Sequence, residues 1–270
     1  MKQLATYFGL AYFISWIFWL PLYGHSFGLT NLPTLPYHHA IGGLGPLIAS
    51  LVTTWIFQKK EGVKLLIKRC LQVRPLMYLI IALFSPFLLV FISILINHFV
   101  DHSPIHYSGI LTSKEFPQFN LLTIFIYNII FFGFGEEVGW RGFALPRLQE
   151  KFNALTSSLI LTVFWAIWHW PLFFYRPGYI SMDFAGIVGW IFSLLTGSIL
   201  LTWLYNSSRA SILICAVFHS TIDIAFTADL ASQNIVNYMG FLITVWGILT
   251  IVVFKPKNLA TNEREKNISI

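Results

Sequence analysis

Glu136, Glu137 and Arg141 form the pattern Glu-Glu-x-x-x-Arg inside a long apolar stretch of the chain. A carboxylate at membrane depth is energetically costly unless it is paired or hydrated, so ionisable groups in such a stretch indicate function by default. On a helix, Glu137 and Arg141 lie one turn apart and can form an ion pair. Glu136 is turned about 100° away from Glu137, so it can face a cavity while its neighbour is neutralised.

Two further apolar segments carry buried histidines. His169 follows Trp165 by one helical turn, and Trp165 is predicted to form an apolar wall against it. His219 and Asp223 have the same spacing, which places them on one stripe of a helix. At the helical rise, Glu136, His169, His219 and Asp223 all lie roughly 14–21 Å from the cytoplasmic ends of their segments. Carboxylates and imidazoles at one depth can activate a water and stabilise an oxyanion, which predicts an intramembrane hydrolase.

The elements that must position these groups are transmembrane helices. The chain has 270 residues, of which 56% are hydrophobic and 10% charged, and its mean hydropathy is +0.70. This composition predicts an all-α, polytopic membrane helix bundle that forms one integral-membrane domain over 1–270, with a disordered polar tail at 255–270. The apolar runs predict about eight transmembrane helices, at 4–22, 40–57, 76–98, 120–147, 155–174, 184–205, 210–228 and 234–254.

The charged loops predict the orientation of the bundle. Almost all Lys and Arg residues fall on one side of the predicted spans, and only Lys114 and Arg176 fall on the other. The positive-inside rule then places both termini in the cytoplasm. The same rule explains the net charge of +6 without a nucleic acid partner. We interpret the basic loop 58–75 as a topology determinant, with an amphipathic helix on the inner leaflet as the alternative.

The three motifs together resemble those of a known family. Glu136-Glu137-x-x-x-Arg141, Trp165-x-x-x-His169 and His219-x-x-x-Asp223 are similar to the EExxxR, FxxxH and HxxxN or HxxxD motifs of the CPBP intramembrane proteases. This CAAX protease and bacteriocin-processing family is related to the type II CAAX prenyl endopeptidase. The resemblance runs over about 120–223. It departs from the pattern at Trp165, where phenylalanine is usual, and at Asp223, where the prenyl endopeptidase has asparagine.

The resemblance implies an intramembrane endopeptidase that hydrolyses a peptide bond in a membrane-associated or lipid-modified peptide. Glu136 would be the general base, His169 would orient the same water, and His219 would stabilise the oxyanion with the help of residue 223. The implied partners are that peptide and the lipid bilayer. The short single-domain sequence, in which we recognise no targeting signal, predicts a bacterial plasma membrane as the location. The catalytic residues would be Glu136, Glu137, Arg141, His169, His219 and Asp223.

Three alternatives stay open at this point. In a metalloprotease, Zn²⁺ would be held by Glu136, His169, His219 and Asp223, and Glu137 would be the base. The chain would otherwise need no cofactor. A non-catalytic membrane scaffold or bacteriocin-immunity protein would keep the fold without the chemistry. A proton-coupled transporter would use buried acids and histidines as a relay.

Overall fold

Long apolar runs separated by polar or proline-containing segments fold into helices in the computed structural model. The structure describes residues 1–107, 109–230 and 232–266. Its main helices are α1 Lys2–Tyr23, α2 Gly45–Cys70, α3 Leu76–Asp101, α4 Leu121–Gln149, α5 Ala154–Trp168, α6 Phe184–Ser207, α7 Ile212–Phe226 and α8 Gln233–Asn258. Over those residues the backbone forms no strand, only an isolated bridge between Ser113 and Ala228. The predicted all-α class is confirmed.

The lengths and compositions of the helices agree with the predicted polytopic membrane protein. In the described ranges, seven helical segments are apolar and long enough to cross a membrane, by length and composition. The eighth predicted span, α7, is apolar but has only 15 residues. It packs against α2, α3, α4 and α6, and most of its side chains are buried. The helix that carries His219 and Asp223 is therefore enclosed by other helices on several sides.

Polar capping residues lie at the N-terminal ends of α4 to α8. α4 to α8 each start with a capping residue whose side-chain oxygen accepts a hydrogen bond from a backbone N–H of the first turn. Such a cap typically stabilises a helix by about 1 kcal/mol, so these residues define the helix starts that the hydrophobic pattern leaves imprecise. The caps are Asn120, Asn153, Asp183, Ser211 and Ser232.

α4 is not a uniform α-helix. Its central α-helical turn, Gly135–Gly139, lies between two π-helical segments, Ile129–Phe134 and Trp140–Ala144. Each π-helical turn accommodates extra backbone, and such turns are frequent at functional sites. Gly139 lets α4 approach α2 closely, because a Cβ there would lie 2.6 Å from the backbone oxygen of Pro46. The turn that carries Glu136 and Glu137 is thus held tightly against a neighbouring helix.

Two polar segments are more ordered than the sequence predicts. The segment predicted as a loop at 58–75 is helical up to Cys70, because α2 continues with a non-helical residue at Lys59, so a helix forms there as the alternative predicts. The role of its charges in setting the topology stays a prediction. The predicted disordered tail begins inside α8 and then packs against the bundle, where Arg264 Nε donates to the backbone oxygen of Gln149 over 3.1 Å. Leu259 is fully buried beside it. Residues 267–270 of that tail lie outside the described residues.

Candidate active site

The two adjacent acids of α4 have different partners. Glu137 is fully buried and its Oε1 accepts a hydrogen bond from Arg141 Nη1 over 3.0 Å, which confirms the predicted ion pair. The same oxygen lies 2.7 Å from His219 Nδ1 of α7. Glu137 Oε2 and Arg141 Nε and Nη2 are buried without a hydrogen-bond partner in the described part of the chain. Glu137 is therefore engaged by two basic groups through a single oxygen.

Glu136 is held by two tryptophans instead of a cation. Its Oε2 accepts hydrogen bonds from Trp165 Nε1 at 2.7 Å and from Trp140 Nε1 at 3.3 Å. Trp165 was predicted only as an apolar wall, so that interpretation missed its polar contact. The signal was present in the sequence, since a buried indole N–H usually finds an acceptor and phenylalanine offers no such donor. Glu136 itself is 3% exposed.

His169 lies at the C-terminal end of α5, where the chain turns into the 3₁₀ segment Trp170–Phe174. Its Nδ1 is 2.7 Å from the backbone oxygen of Trp165. A carbonyl oxygen only accepts, so Nδ1 donates, and Nε2 keeps a lone pair when the ring is neutral. The ring is 8% exposed and is enclosed by the aromatic side chains of Trp165, Trp168, Tyr179 and Trp190.

His219 lies between two carboxylates. Glu137 faces its Nδ1, and Asp223 Oδ2 is 3.6 Å from its Nε2, as the spacing on one helical stripe predicts. The side chain of His219 is 7% exposed, whereas that of Asp223 is 37% exposed. Asp223 is therefore the solvent-accessible member of an otherwise buried set of side chains, and we call its position the accessible edge of the site.

Trp165 is where the three helices meet. Its ring lies 5.7 Å from the ring of His169 and 5.6 Å from that of His219, centroid to centroid. The guanidinium carbon of Arg141 is 4.8 Å from the centre of the same ring. Through these contacts and the bond to Glu136, the six predicted site residues form one continuous cluster. The cluster thus brings one carboxylate and two imidazoles to the same indole ring.

The arrangement does not match a metal-ligand set. No group of three or more His, Cys, Asp or Glu side chains is placed to hold a metal ion in the residues that the structure describes. Glu136, His169, His219 and Asp223 therefore do not form a preassembled ligand group within the described residues.

Polar contacts connect the loops next to the accessible edge. Arg176 Nη2 donates to Glu115 Oε1 over 2.5 Å, and the Lys114 N–H donates to the Thr227 oxygen, one turn beyond Asp223, over 3.1 Å. Burial disfavours the charged form of Arg176, but the Glu115 carboxylate outweighs it and the pKa of Arg176 is raised. The sequence indicated only a topological role for Lys114 and Arg176.

Part of the chain is similar to a known family. Residues 118–225, which include all six predicted site residues, match a family model described as type II CAAX prenyl endopeptidase Rce1-like. This segment resembles that family. The resemblance predicted from the three motifs is thereby confirmed, and the Rce1-like segment comprises α4 to α7 almost completely.

Two curated proteins are similar to the chain. CAAX prenyl protease 2 of Methanococcus maripaludis is 32% identical over 93 residues, which are 33% of this chain and 34% of that protein. Lysostaphin resistance protein A of Staphylococcus haemolyticus is 24% identical over 243 residues, which are 84% of this chain and 62% of that protein. The matched part of the chain thus spans less than two thirds of either relative.

Proposed function

We propose that the chain is an intramembrane endopeptidase that hydrolyses a peptide bond in a membrane-associated or lipid-modified peptide. The carboxylate of Glu136 carries this proposal. It is buried beside a neutralised Glu137–Arg141 pair but receives its own hydrogen bonds from neutral indoles. Among the described residues no basic side chain forms an ion pair with Glu136, and a buried carboxylate without such a partner is suited to accept a proton from water. The match of residues 118–225 to the Rce1-like model supports the same reaction class.

Glu136 and His169 would act on one water molecule. The indoles hold Oε2 of Glu136, so Oε1 is the oxygen that would accept the proton of the water. Nε2 of His169 would accept a hydrogen bond from the second O–H and orient the attack, because Nδ1 is already bound to a carbonyl. The water oxygen attacks the peptide carbonyl carbon. Glu136 then returns the proton to the leaving amine as the C–N bond breaks.

His219 would stabilise the oxyanion of the tetrahedral intermediate. Glu137 at Nδ1 and Asp223 near Nε2 together stabilise an imidazolium, whose Nε2–H can donate to the developing negative charge. Arg141 holds Glu137 in place for this contact and balances its charge. Asp223 lies at the accessible edge, where the substrate carbonyl would approach.

A prenylated CAAX-type peptide is the first substrate to test, because one relative is named CAAX prenyl protease 2. We place the protein in a bacterial plasma membrane with both termini in the cytoplasm, as the charged loops predict. The accessible edge at Asp223 would then receive the lipid-anchored peptide from the bilayer.

Cleavage by the purified protein in detergent tests the proposal. Glu136→Gln keeps the size and the hydrogen-bond acceptor but removes the base, so the rate is expected to fall by about 10²–10⁴-fold. The measurement is appearance of the released peptide by mass spectrometry, for wild type and variant, with and without a chelator. Equal cleavage by the variant would contradict the role of Glu136. Cleavage lost with chelator and restored by Zn²⁺ would replace the metal-free mechanism with a metallo-type one.

A non-catalytic role in resistance is the second candidate. It is favoured by the similarity to Lysostaphin resistance protein A, which extends over 84% of this chain. In that case the folded protein would confer resistance without hydrolysing a peptide bond. Cells that depend on the chain for survival under a cell-wall-lytic enzyme would then be protected equally by wild type and by Glu136→Gln.

A further inference from the structure

We infer that Trp165 is a positioning residue, which holds the carboxylate of Glu136 through its indole N–H and so fixes the general base relative to His169. The inference rests on the proposed hydrolytic function and extends it to a side chain that the motif pattern treats as an apolar wall. It is carried by four separate contacts of one residue.

The first contact is the hydrogen bond itself. Trp165 Nε1 lies 2.7 Å from Glu136 Oε2, at the short end of the normal range, while Trp140 Nε1 lies at 3.3 Å from the same oxygen, just beyond that range. Trp165 is 6% exposed, so water competes little for either partner. A hydrogen bond to a buried carboxylate is among the stronger ones in proteins. Of the two donors, Trp165 has the shorter contact with the base.

The second contact joins the main chain of Trp165 to His169, and it matters because the two indole donors lie on different helices. Trp140 lies on α4 itself, one turn from Glu136, and therefore moves with it. Trp165 lies on α5, so its bond fixes the carboxylate relative to another helix. The backbone oxygen of the same Trp165 accepts from His169 Nδ1 over 2.7 Å. One residue thus holds the base by its side chain and the water-orienting histidine by its main chain.

The third and fourth contacts hold the indole. The guanidinium of Arg141 lies 4.8 Å from the ring centre, and His219 meets the ring edge-on at 5.6 Å. A cation over an aromatic face attracts its electron density, which strengthens the N–H as a donor. Trp165→Phe would keep an aromatic ring for both contacts and remove the donor, together with the volume of the five-membered ring. A second buried Trp→Phe substitution away from the site has the same loss of volume, so the comparison of the two separates the hydrogen bond from the packing.

Kinetics provide the first arm of the test. Trp165→Phe is expected to lower kcat by about 10–100-fold, the range for a lost hydrogen bond to a charged group. KM should change less than about twofold, because Trp165 does not contact the peptide in this mechanism. The matched control is Trp203→Phe on α6, a buried tryptophan whose indole N–H has no partner in the part of the chain described. It should leave kcat and KM unchanged. A general packing defect would instead lower the thermal midpoint of Trp165→Phe and raise KM.

A spectroscopic arm does not depend on activity. Protein with ¹⁵N-labelled indoles in detergent micelles gives one N–H resonance for each of its ten tryptophans, and Trp165→Phe identifies the signal of Trp165. Glu136→Gln should shift that signal and leave that of Trp203 in place. An unshifted signal would overturn the inference, and so would a shifted signal with an unchanged kcat. If wild type cleaves no peptide while the signal shifts, the bond exists but the proposed function fails, and the positioning role fails with it.

Discussion

Two buried arginines on α4 show how differently the same side chain is supported in two regions of the bundle. Arg147 is 6% exposed and all three of its guanidinium nitrogens donate, to Gln3 Oε1 at 2.7 Å, the Phe143 oxygen at 2.8 Å and Gln58 Oε1 at 3.2 Å. Arg141 is fully buried and donates from Nη1 alone, to Glu137, within the residues described. Both lie over an aromatic ring.

The difference extends to the neighbours of each arginine. Near Arg147, the amides of Gln149 and Asn206 exchange two hydrogen bonds, of 3.0 and 2.8 Å. Near Arg141, one oxygen of Glu137 is left without a partner in the described ranges. Unsatisfied buried groups are destabilising, and proteins retain them mainly where they have a use. The contacts of the first region hold helices together, whereas the second region contains the residues for which we propose a catalytic role.

Removing each charge gives the largest expected contrast. Arg141→Met leaves the buried Glu137 with His219 as its one remaining basic partner in the described residues, which should lower the free energy of unfolding by about 3–5 kcal/mol. Arg147→Met leaves only neutral acceptors, two of them on partly accessible glutamines, and should cost about 1–3 kcal/mol. Unfolding by titration of SDS into mixed micelles measures both variants. Equal losses would show that the two regions do not differ in the way the contacts indicate.

A substitution in the Gln149–Asn206 amide pair should lower stability without lowering activity. Asn206→Ala removes both hydrogen bonds to Gln149, and also those of Asn206 with the Asn258 oxygen and the Glu265 N–H. Gln149 Nε2 still donates to the Glu265 oxygen, but Gln149 Oε1 loses its donor, so we expect a cost of about 1–3 kcal/mol in unfolding. Cleavage by the folded fraction should stay within about twofold of wild type, since the pair lies apart from the site cluster. A loss of kcat at unchanged folded fraction would show that this region also affects the chemistry.

Asp223→Asn gives the smallest expected effect. Its carboxylate is 3.6 Å from His219 Nε2 and its side chain is 37% exposed, so solvent screens the interaction. We expect kcat to fall by less than about tenfold, with KM nearly constant. Asp229→Asn, the same change just beyond α7, is the matched control. A loss as large as that of Glu136→Gln would instead make Asp223 an essential group and would revise its role at the edge.

Local spacing explains which site contacts the sequence predicts. The Glu137–Arg141 pair and the His219–Asp223 stripe both follow from one turn of helix. The bonds from Trp165 to Glu136 and from His219 to Glu137 join different helices, and their existence depends on how α4, α5 and α7 pack. Hydrophobic periodicity does not specify that packing, so these contacts were not predicted.

Some features of the fold are likewise predicted from the sequence, and others are not. Apolar run length predicts the helices and the membrane class, because a span needs a minimum number of apolar residues. It says little about segments where charged residues continue a helix, such as the part of α2 between Lys59 and Cys70. It also gives no sign of the π-helical turns of α4, which change the hydrogen-bond pattern without changing the composition.

The two π-helical segments separate the acidic turn of α4 from the α-helical parts at either end of the helix. A π-helical turn can arise from a one-residue insertion that the α-helix absorbs locally. One such turn lies on each side of Gly135–Gly139. Because each residue of a helix turns the chain by about 100°, one residue added or removed in either segment would turn the two carboxylates toward different neighbours.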